Sequence, residues 1–175
     1  MSPMVRRPPG IELALLGFLK EGPQHGYQIF QTLSNPEGLG PIWNLKQSQL
    51  YALLSKLEDD GYIWGVLQPQ EAARPPRRVF HLTQAGQNAY QKWILTPVGT
   101  PREIRQEFMA KLYFAKQEGQ EHTRELLRQQ RAACRAWLDE MRAEAETPPA
   151  DSFLYSLNQY RVGQIEATLK WLVNV

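Results

Sequence analysis

Arginine side chains are concentrated in one short stretch of this 175-residue chain. The stretch contains Arg74, Arg77 and Arg78, and no acidic residue occurs between Glu71 and Glu103. Guanidinium groups without acidic neighbours in the sequence are suited to hydrogen bonding with phosphate groups. Because the formal net charge of the chain is only +2, this arginine cluster, rather than the global charge, indicates an anionic partner.

A second stretch, residues 44–61, combines a leucine stripe with a polar face. The stripe has the spacing of one side of a helix and consists of Leu50, Leu53, Leu54 and Leu57. The opposite side carries small or hydrogen-bonding side chains, namely Ser48, Tyr51, Ala52, Ser55 and Lys56. No acid precedes Glu58 within this stretch. The pattern indicates a helix face that can approach an anionic surface, and a core helix with a neutral outer side is the alternative.

The sequence does not support catalytic or metal chemistry. His25, His81 and His122 lie on different predicted elements, and no histidine lies three or four residues from Cys134. We interpret His25 as a turn histidine and His81 as a strand histidine. Cys134 lies in an apolar, heptad-like stripe, which favours core packing over a redox role. We therefore predict that the protein is not an enzyme and has no metal or cofactor.

Composition restricts the class of protein and its compartment. Apolar residues make up 42% and charged residues 22% of the chain, which is enough to bury a core. A single cysteine excludes an internal disulfide and fits a reducing compartment. The longest apolar run, IELALLGFL, is far too short to span a bilayer, and no apolar signal core follows the N-terminal residues. We expect a soluble, cytoplasmic protein without a membrane partner.

Proline and glycine divide the chain into a flexible arm, residues 1–10, and two predicted domains, 11–97 and 101–175. The predicted elements of the first domain are helices at 11–20, 27–33, 44–61 and 83–94 and strands at 62–68 and 78–82. Helix, helix, helix, hairpin, helix is the order of a winged helix-turn-helix. The predicted fold class is mainly α with a small β-hairpin, followed by C-terminal antiparallel helices.

The C-terminal region is predicted to form a homodimer. Helices are expected at 102–116, 121–146 and 152–173. The long middle helix has two adjoining apolar stripes, which suggests one partner in its own chain and one in a second subunit. The predicted dimerisation residues are Leu127, Cys134, Trp137, Leu138, Met141, Leu157 and Leu169. A closed monomeric bundle of three helices is the alternative.

Several motifs, in order, resemble the PadR family of transcriptional regulators. These are LxLLGxL at 13–19, GPxxGY at 22–27, LYxxLxxLExxGYI at 50–63 and RRVFxLTxxG at 77–86. The resemblance covers about residues 11–95. It implies a homodimeric repressor that binds double-stranded DNA at a palindromic operator and is often released by a small-molecule effector. The family usually has Ser and Gly directly before the Leu-Tyr pair, whereas residues 46–49 here are KQSQ.

The resemblance and the charge pattern together give the predicted sites. The predicted DNA-binding residues are Lys46, Gln47, Ser48, Gln49, Tyr51, Ser55, Lys56, Arg74, Arg77 and Arg78. Trp93 and Tyr113 are candidates for lining a ligand-binding cleft between the two domains, although core packing is the favoured interpretation. The second function considered is a winged-helix protein-interaction module without DNA binding.

Overall fold

A computed structural model of the protein describes residues 10–69 and 76–175. Its helices are α1 (Ala14–Phe18), α2 (Gly26–Leu33), α3 (Gln47–Asp59), α4 (Gln84–Leu95), α5 (Glu107–Glu118), α6 (Gln120–Ala145) and α7 (Phe153–Val173). Its strands are β1 (Gln24–His25), β2 (Ile63–Gln68) and β3 (Arg77–Leu82), and 3-10 turns occupy Ile11–Leu13 and Pro101–Arg105. The predicted fold class is confirmed. Arg74 and residues 1–9 of the predicted arm lie outside the described residues.

The wing, formed by the hairpin strands β2 and β3, pairs with a third strand that the sequence did not indicate. The sheet order is β1-β3-β2, and β1 pairs antiparallel with β3 through the register Gln24↔Phe80 and His25↔Val79. A two-residue strand is too short for alternation of apolar and polar residues to reveal it. Its consequence is positional, because it holds His25 and the beginning of α2 directly beside the wing.

Helix α3 is shorter than predicted at its beginning and ends close to where it was expected. It begins at Gln47 because Lys46 is extended, with φ −72° and ψ 150°. Gln49 caps the first turn, since its Oε1 accepts a hydrogen bond from the Lys46 backbone N–H at 2.9 Å. After the helix ends, Gly61 adopts φ 77°, the left-handed conformation that glycine favours at the end of a helix.

One hydrophobic core runs through both predicted domains. Phe114 of α5 makes edge-to-face contacts with Phe18 of α1, at 5.3 Å between ring centroids, and with Tyr90 of α4, at 5.9 Å. Gly17 permits this contact, because a Cβ there would lie 2.5 Å from the Phe114 ring. The boundary at residues 97–101 stays a prediction, but the regions on its two sides pack against each other.

The C-terminal helices use most of their predicted dimerisation residues within the chain. Helices α6 and α7 pack on each other, and Arg142 Nη2 of α6 contacts Glu166 Oε1 of α7 at 2.7 Å. Leu127, Cys134 and Leu138 are buried in the core of their own chain, whereas the other predicted residues are half-buried, namely Trp137, Met141, Leu157 and Leu169. These three buried side chains therefore cannot contact a second subunit directly, and they can only support the more exposed residues of a dimer interface.

Candidate nucleic-acid interface

Helix α3 presents its polar face outward because its apolar face is fully used. Leu50, Leu54 and Leu57 are each completely buried. All the predicted DNA-binding residues on and just before this helix are exposed, namely Lys46, Gln47, Ser48, Gln49, Tyr51, Ser55 and Lys56. The side chain of Gln49 is partly committed to capping through its Oε1. The remaining surface offers hydroxyl, amide and ammonium groups that can contact phosphates and base edges.

The ring of Tyr51 packs against Gly26, in the space that a side chain at that position would occupy. A Cβ at Gly26 would lie 2.6 Å from Tyr51 Cε1 and 2.8 Å from its hydroxyl oxygen. The ring of Tyr51 therefore lies directly on the N-terminus of α2, and the residue keeps 38% of its surface exposed. This contact joins α2 to α3 and places the Tyr51 ring beside Gly26, the residue that follows His25.

His25 joins this surface, although its sequence context indicated only a turn histidine. It is the N-cap of α2, and its Nδ1 accepts a hydrogen bond from the Gln28 backbone N–H at 3.2 Å. The neutral ring must then carry its proton on Nε2, which lies 3.4 Å from Arg77 Nη1. Partial burial and the Arg77 charge lower the pKa of His25. These two N–H donors, of His25 and Arg77, are close enough to bind the same acceptor, and a phosphate oxygen is a suitable one.

Arg78 has a structural partner, although no acidic residue lies near it in the sequence. Arg78 Nη2 contacts Glu58 Oε2 at the end of α3 at 2.6 Å. The other oxygen, Glu58 Oε1, accepts a hydrogen bond from the Gly65 backbone N–H of β2 at 2.8 Å. The guanidinium also lies over the Phe80 ring, 5.5 Å from its centroid. Arg78 and Glu58 therefore tie both wing strands to α3.

Lys56 is also paired within the chain. Its Nζ lies 2.6 Å from Glu12 Oε1 in the first 3-10 turn. Burial raises the pKa of Glu12, but the hydrogen bond and charge of Lys56, together with backbone hydrogen bonds, outweigh it and leave that pKa lowered. Among the described wing arginines, Arg77 is the one that has no carboxylate within ion-pair distance.

Trp93 and Tyr113, predicted to share one cleft, line two different cavities. Trp93 lines a cavity of about 480 Å³ together with residues 96–99 of the linker that follows α4. Tyr113 lines a separate cavity of about 280 Å³. Trp93 Nε1 donates a hydrogen bond to Glu107 Oε1 at 3.0 Å, and Tyr113 packs edge-to-face on Phe114. The two residues therefore lie in separate cavities, and a ligand-binding role for either one stays a prediction.

Other chemistry finds little support in residues 10–69 and 76–175. Cys134 is fully buried, and burial raises the pKa of its thiol. No cluster of three or more His, Cys, Asp or Glu side chains in these ranges has an arrangement able to hold a metal ion. None of the helices in these ranges has the length and apolar character needed to traverse a bilayer.

Comparisons with known proteins agree with this geometry. Residues 15–92 match the transcriptional regulator PadR-like family, and residues 104–175 match the family described as virulence activator alpha C-term. The negative transcriptional regulator PadR of Bacillus subtilis is 29% identical over 136 residues, which cover 78% of this chain and 73% of that protein. The matched PadR-like family and this relative are regulators of transcription, not enzymes.

Two crystal structures of Bacillus subtilis PadR are also similar to this chain. The structure in complex with operator DNA is 25% identical, covers 94% of this chain and 94% of that one, and gives a TM-score of 0.48. The structure in complex with p-coumaric acid is 25% identical, covers 94% of this chain and 92% of that one, and gives a TM-score of 0.42.

Arg77 and Arg78 should differ in how their loss affects binding to double-stranded DNA. If Arg77 contacts a phosphate, Arg77→Ala should make the slope of log affinity against log salt flatter by about 1. Arg78→Ala should weaken binding by loosening the wing and leave that slope unchanged. Fluorescence anisotropy at several salt concentrations measures both slopes, with Lys170→Ala on α7 as the control of equal charge. Equal flattening by Arg77→Ala and Arg78→Ala would show that Arg78 also contacts phosphate.

Proposed function

We propose that this chain, whose residues 15–92 match the PadR-like family of transcriptional regulators, is a cytoplasmic repressor that binds operator DNA as a homodimer. The observation that carries this proposal is the exposed polar face of α3, with Tyr51, His25 and Arg77 assembled along one side of it. In this proposal α3 enters the major groove as the recognition helix, and the wing follows the adjacent phosphates.

The residues of this surface divide into two roles. Arg77, the Nε2–H of His25 and the Tyr51 hydroxyl are donors suited to phosphate oxygens, and these contacts fix the register of the protein on DNA. Ser48 and Ser55 are exposed on α3 and are suited to base edges in the major groove. Such a surface is small for one module, so a single copy discriminates poorly among sites.

The sign of regulation is proposed from the curated relative. Bacillus subtilis PadR is named a negative regulator, and its match covers most of this chain. The family matched by residues 104–175 is named after an activator, which makes activation the alternative. A reporter promoter that overlaps the binding site separates the two, because a repressor lowers its output and an activator raises it.

The protein-interaction alternative has one observation in its favour. Three apolar side chains of β2 are exposed on the wing, Trp64 at 49%, Val66 at 37% and Leu67 at 64%. The Trp64 ring stacks on His81 at 4.2 Å between centroids, so it is ordered rather than loose. Salt-dependent binding to duplex DNA would favour the operator-binding proposal, and its absence would favour the interaction module.

The DNA-binding proposal is tested first through Tyr51. A duplex selected from a random library by the wild-type protein supplies the operator. Tyr51→Phe should weaken binding to it by about 1 kcal/mol, or about fivefold, because a hydrogen bond to a charged acceptor is lost. The fold should persist in circular dichroism, and Tyr155→Phe on α7 is the matched control with wild-type affinity. Failure to select any duplex, or wild-type affinity of Tyr51→Phe at all salt concentrations, contradicts the proposed role.

The homodimer is proposed to form through the exposed apolar side chains of α7. Phe153 is 81% exposed, Leu154 51% and Tyr160 62%, and all lie in the N-terminal half of this helix. An exposed row of large apolar residues is typical of an interface. A second copy is the occupant that a palindromic operator requires, since a two-fold axis places one recognition helix on each half-site.

Substitutions on α7 test the dimer. The double substitution Phe153→Asp and Leu154→Asp buries charge in the proposed interface, so sedimentation at micromolar concentration should change from dimer to monomer. Affinity for a palindromic site should fall by at least about a hundredfold, because the second contact is no longer intramolecular. Leu67→Asp, an equally apolar and exposed position on β2, should still dimerise. A wild-type protein that sediments as a monomer would overturn the dimer.

A small-molecule effector is proposed to bind in the cavity of about 480 Å³ beside Trp93. This cavity lies between α4 and α5 and is lined by the linker, so a ligand there would contact both predicted domains. A panel of single-ring aromatic alcohols and acids is screened for release of the operator. The active compound should quench tryptophan emission in the wild type but not in Trp93→Phe. Release with unchanged quenching in that variant would place the effector elsewhere.

A further inference from the structure

Three polar side chains are buried in the described part of the chain, and two of them reach the same short segment. They are Lys111, Gln130 and Asn158, at 2%, 0% and 5% exposure. Lys111 Nζ donates a hydrogen bond to the Thr96 carbonyl oxygen at 2.7 Å. Gln130 Oε1 accepts a hydrogen bond from the Val98 backbone N–H at 2.9 Å. Both partners belong to the linker, residues 96–100, that joins α4 to the C-terminal helices.

Burying these two side chains is costly unless their polar groups are bonded. The pKa of Lys111 is lowered, because the effect of burial exceeds the opposing effect of Glu107, whose Oε1 lies 3.1 Å from Lys111 Nζ. Lys111 Nζ also lies 5.3 Å from the centre of the Trp93 ring. An apolar residue at either position would leave a backbone group of the segment 96–98, the Thr96 carbonyl or the Val98 N–H, without this partner.

The remaining backbone of the linker is fixed as well. Glu103 Oε2 accepts hydrogen bonds from the backbone N–H groups of Gly99 and Thr100, each at 2.9 Å. The side chain of Val98 is 2% exposed, so it packs inside the core. A linker of this length with proline and glycine would otherwise sample many conformations. Here α5 and α6 hold its carbonyl and amide groups directly, so the winged helix has a fixed orientation on the C-terminal helices.

We propose that Lys111 and Gln130 are positioning residues that set which spacing between operator half-sites the dimer accepts. This proposal rests on the proposed homodimer on DNA. Two recognition helices match half-sites about one helical turn apart, or about 34–36 Å for 10–10.5 base pairs. One added base pair displaces a half-site by about 3.4 Å and rotates it by roughly 35°. A fixed linker rejects that change, whereas a loosened linker follows it.

Spacing selectivity is measured on full-length protein with the selected operator and with versions whose spacer is one base pair longer or shorter. The wild type should lose at least about tenfold in affinity for each altered spacer. Gln130→Leu and Lys111→Met should keep affinity for the natural spacer within about threefold, while the loss on altered spacers shrinks to less than about threefold. Asn158→Leu is the control, because Asn158 contacts the Glu144 carbonyl oxygen and not the linker.

Hydrogen exchange at the Val98 amide tests the clamp without DNA. The wild-type amide should be protected, and Gln130→Leu should raise its exchange rate at least tenfold while the amides of α3 stay unchanged. A fast Val98 amide in the wild type overturns the clamp. Folded, dimeric Gln130→Leu and Lys111→Met proteins that keep wild-type spacing selectivity overturn the spacing role. A protected Val98 amide in a wild type that binds no duplex would instead contradict the proposed function.

Discussion

The outward orientation of the polar face of α3 depends on the burial of the leucines on its opposite side. Leu50, Leu54 and Leu57 have no exposed surface, and each buried leucine contributes about 1.5–3 kcal/mol. A rotation of the helix that exposed them would lose most of that free energy. The orientation of Ser48, Tyr51 and the other polar side chains therefore follows from the core, since the two faces of one helix cannot move independently.

The elements around α3 are fixed to it by a few directional contacts. Glu58 receives both Arg78 of β3 and the Gly65 amide of β2, so the wing angle is determined at the end of the helix. At the other end, Tyr51 lies on Gly26, where any side chain would collide with its ring. Acids at a helix C-terminus are unfavourable for the helix itself. Glu58 is accounted for by what it binds outside the helix.

The two halves of the chain are one packing unit despite the proline and glycine between them. Phe114 contacts aromatic rings of both α1 and α4, and Lys111 and Gln130 hold the linker backbone. Movement of the winged helix relative to the C-terminal helices would break apolar and polar contacts together. The cavity beside Trp93 lies within this junction, so occupancy there would act on the same contacts.

The sequence by itself determined the helices and the polar face of α3, because these depend on neighbours within about four residues, and it indicated the two hairpin strands through their apolar and β-branched residues. It could not show that Arg78 binds Glu58, 20 residues away, or that Arg77 meets His25, 52 residues away. The sequence around Arg78 contains no acidic residue, whereas the packing of α3 against the wing places Glu58 beside it. The sequence also could not show that Trp93 and Tyr113 line two separate cavities. The tertiary structure alone decided these pairings, because the direction of a side chain across an interface depends on how whole elements pack.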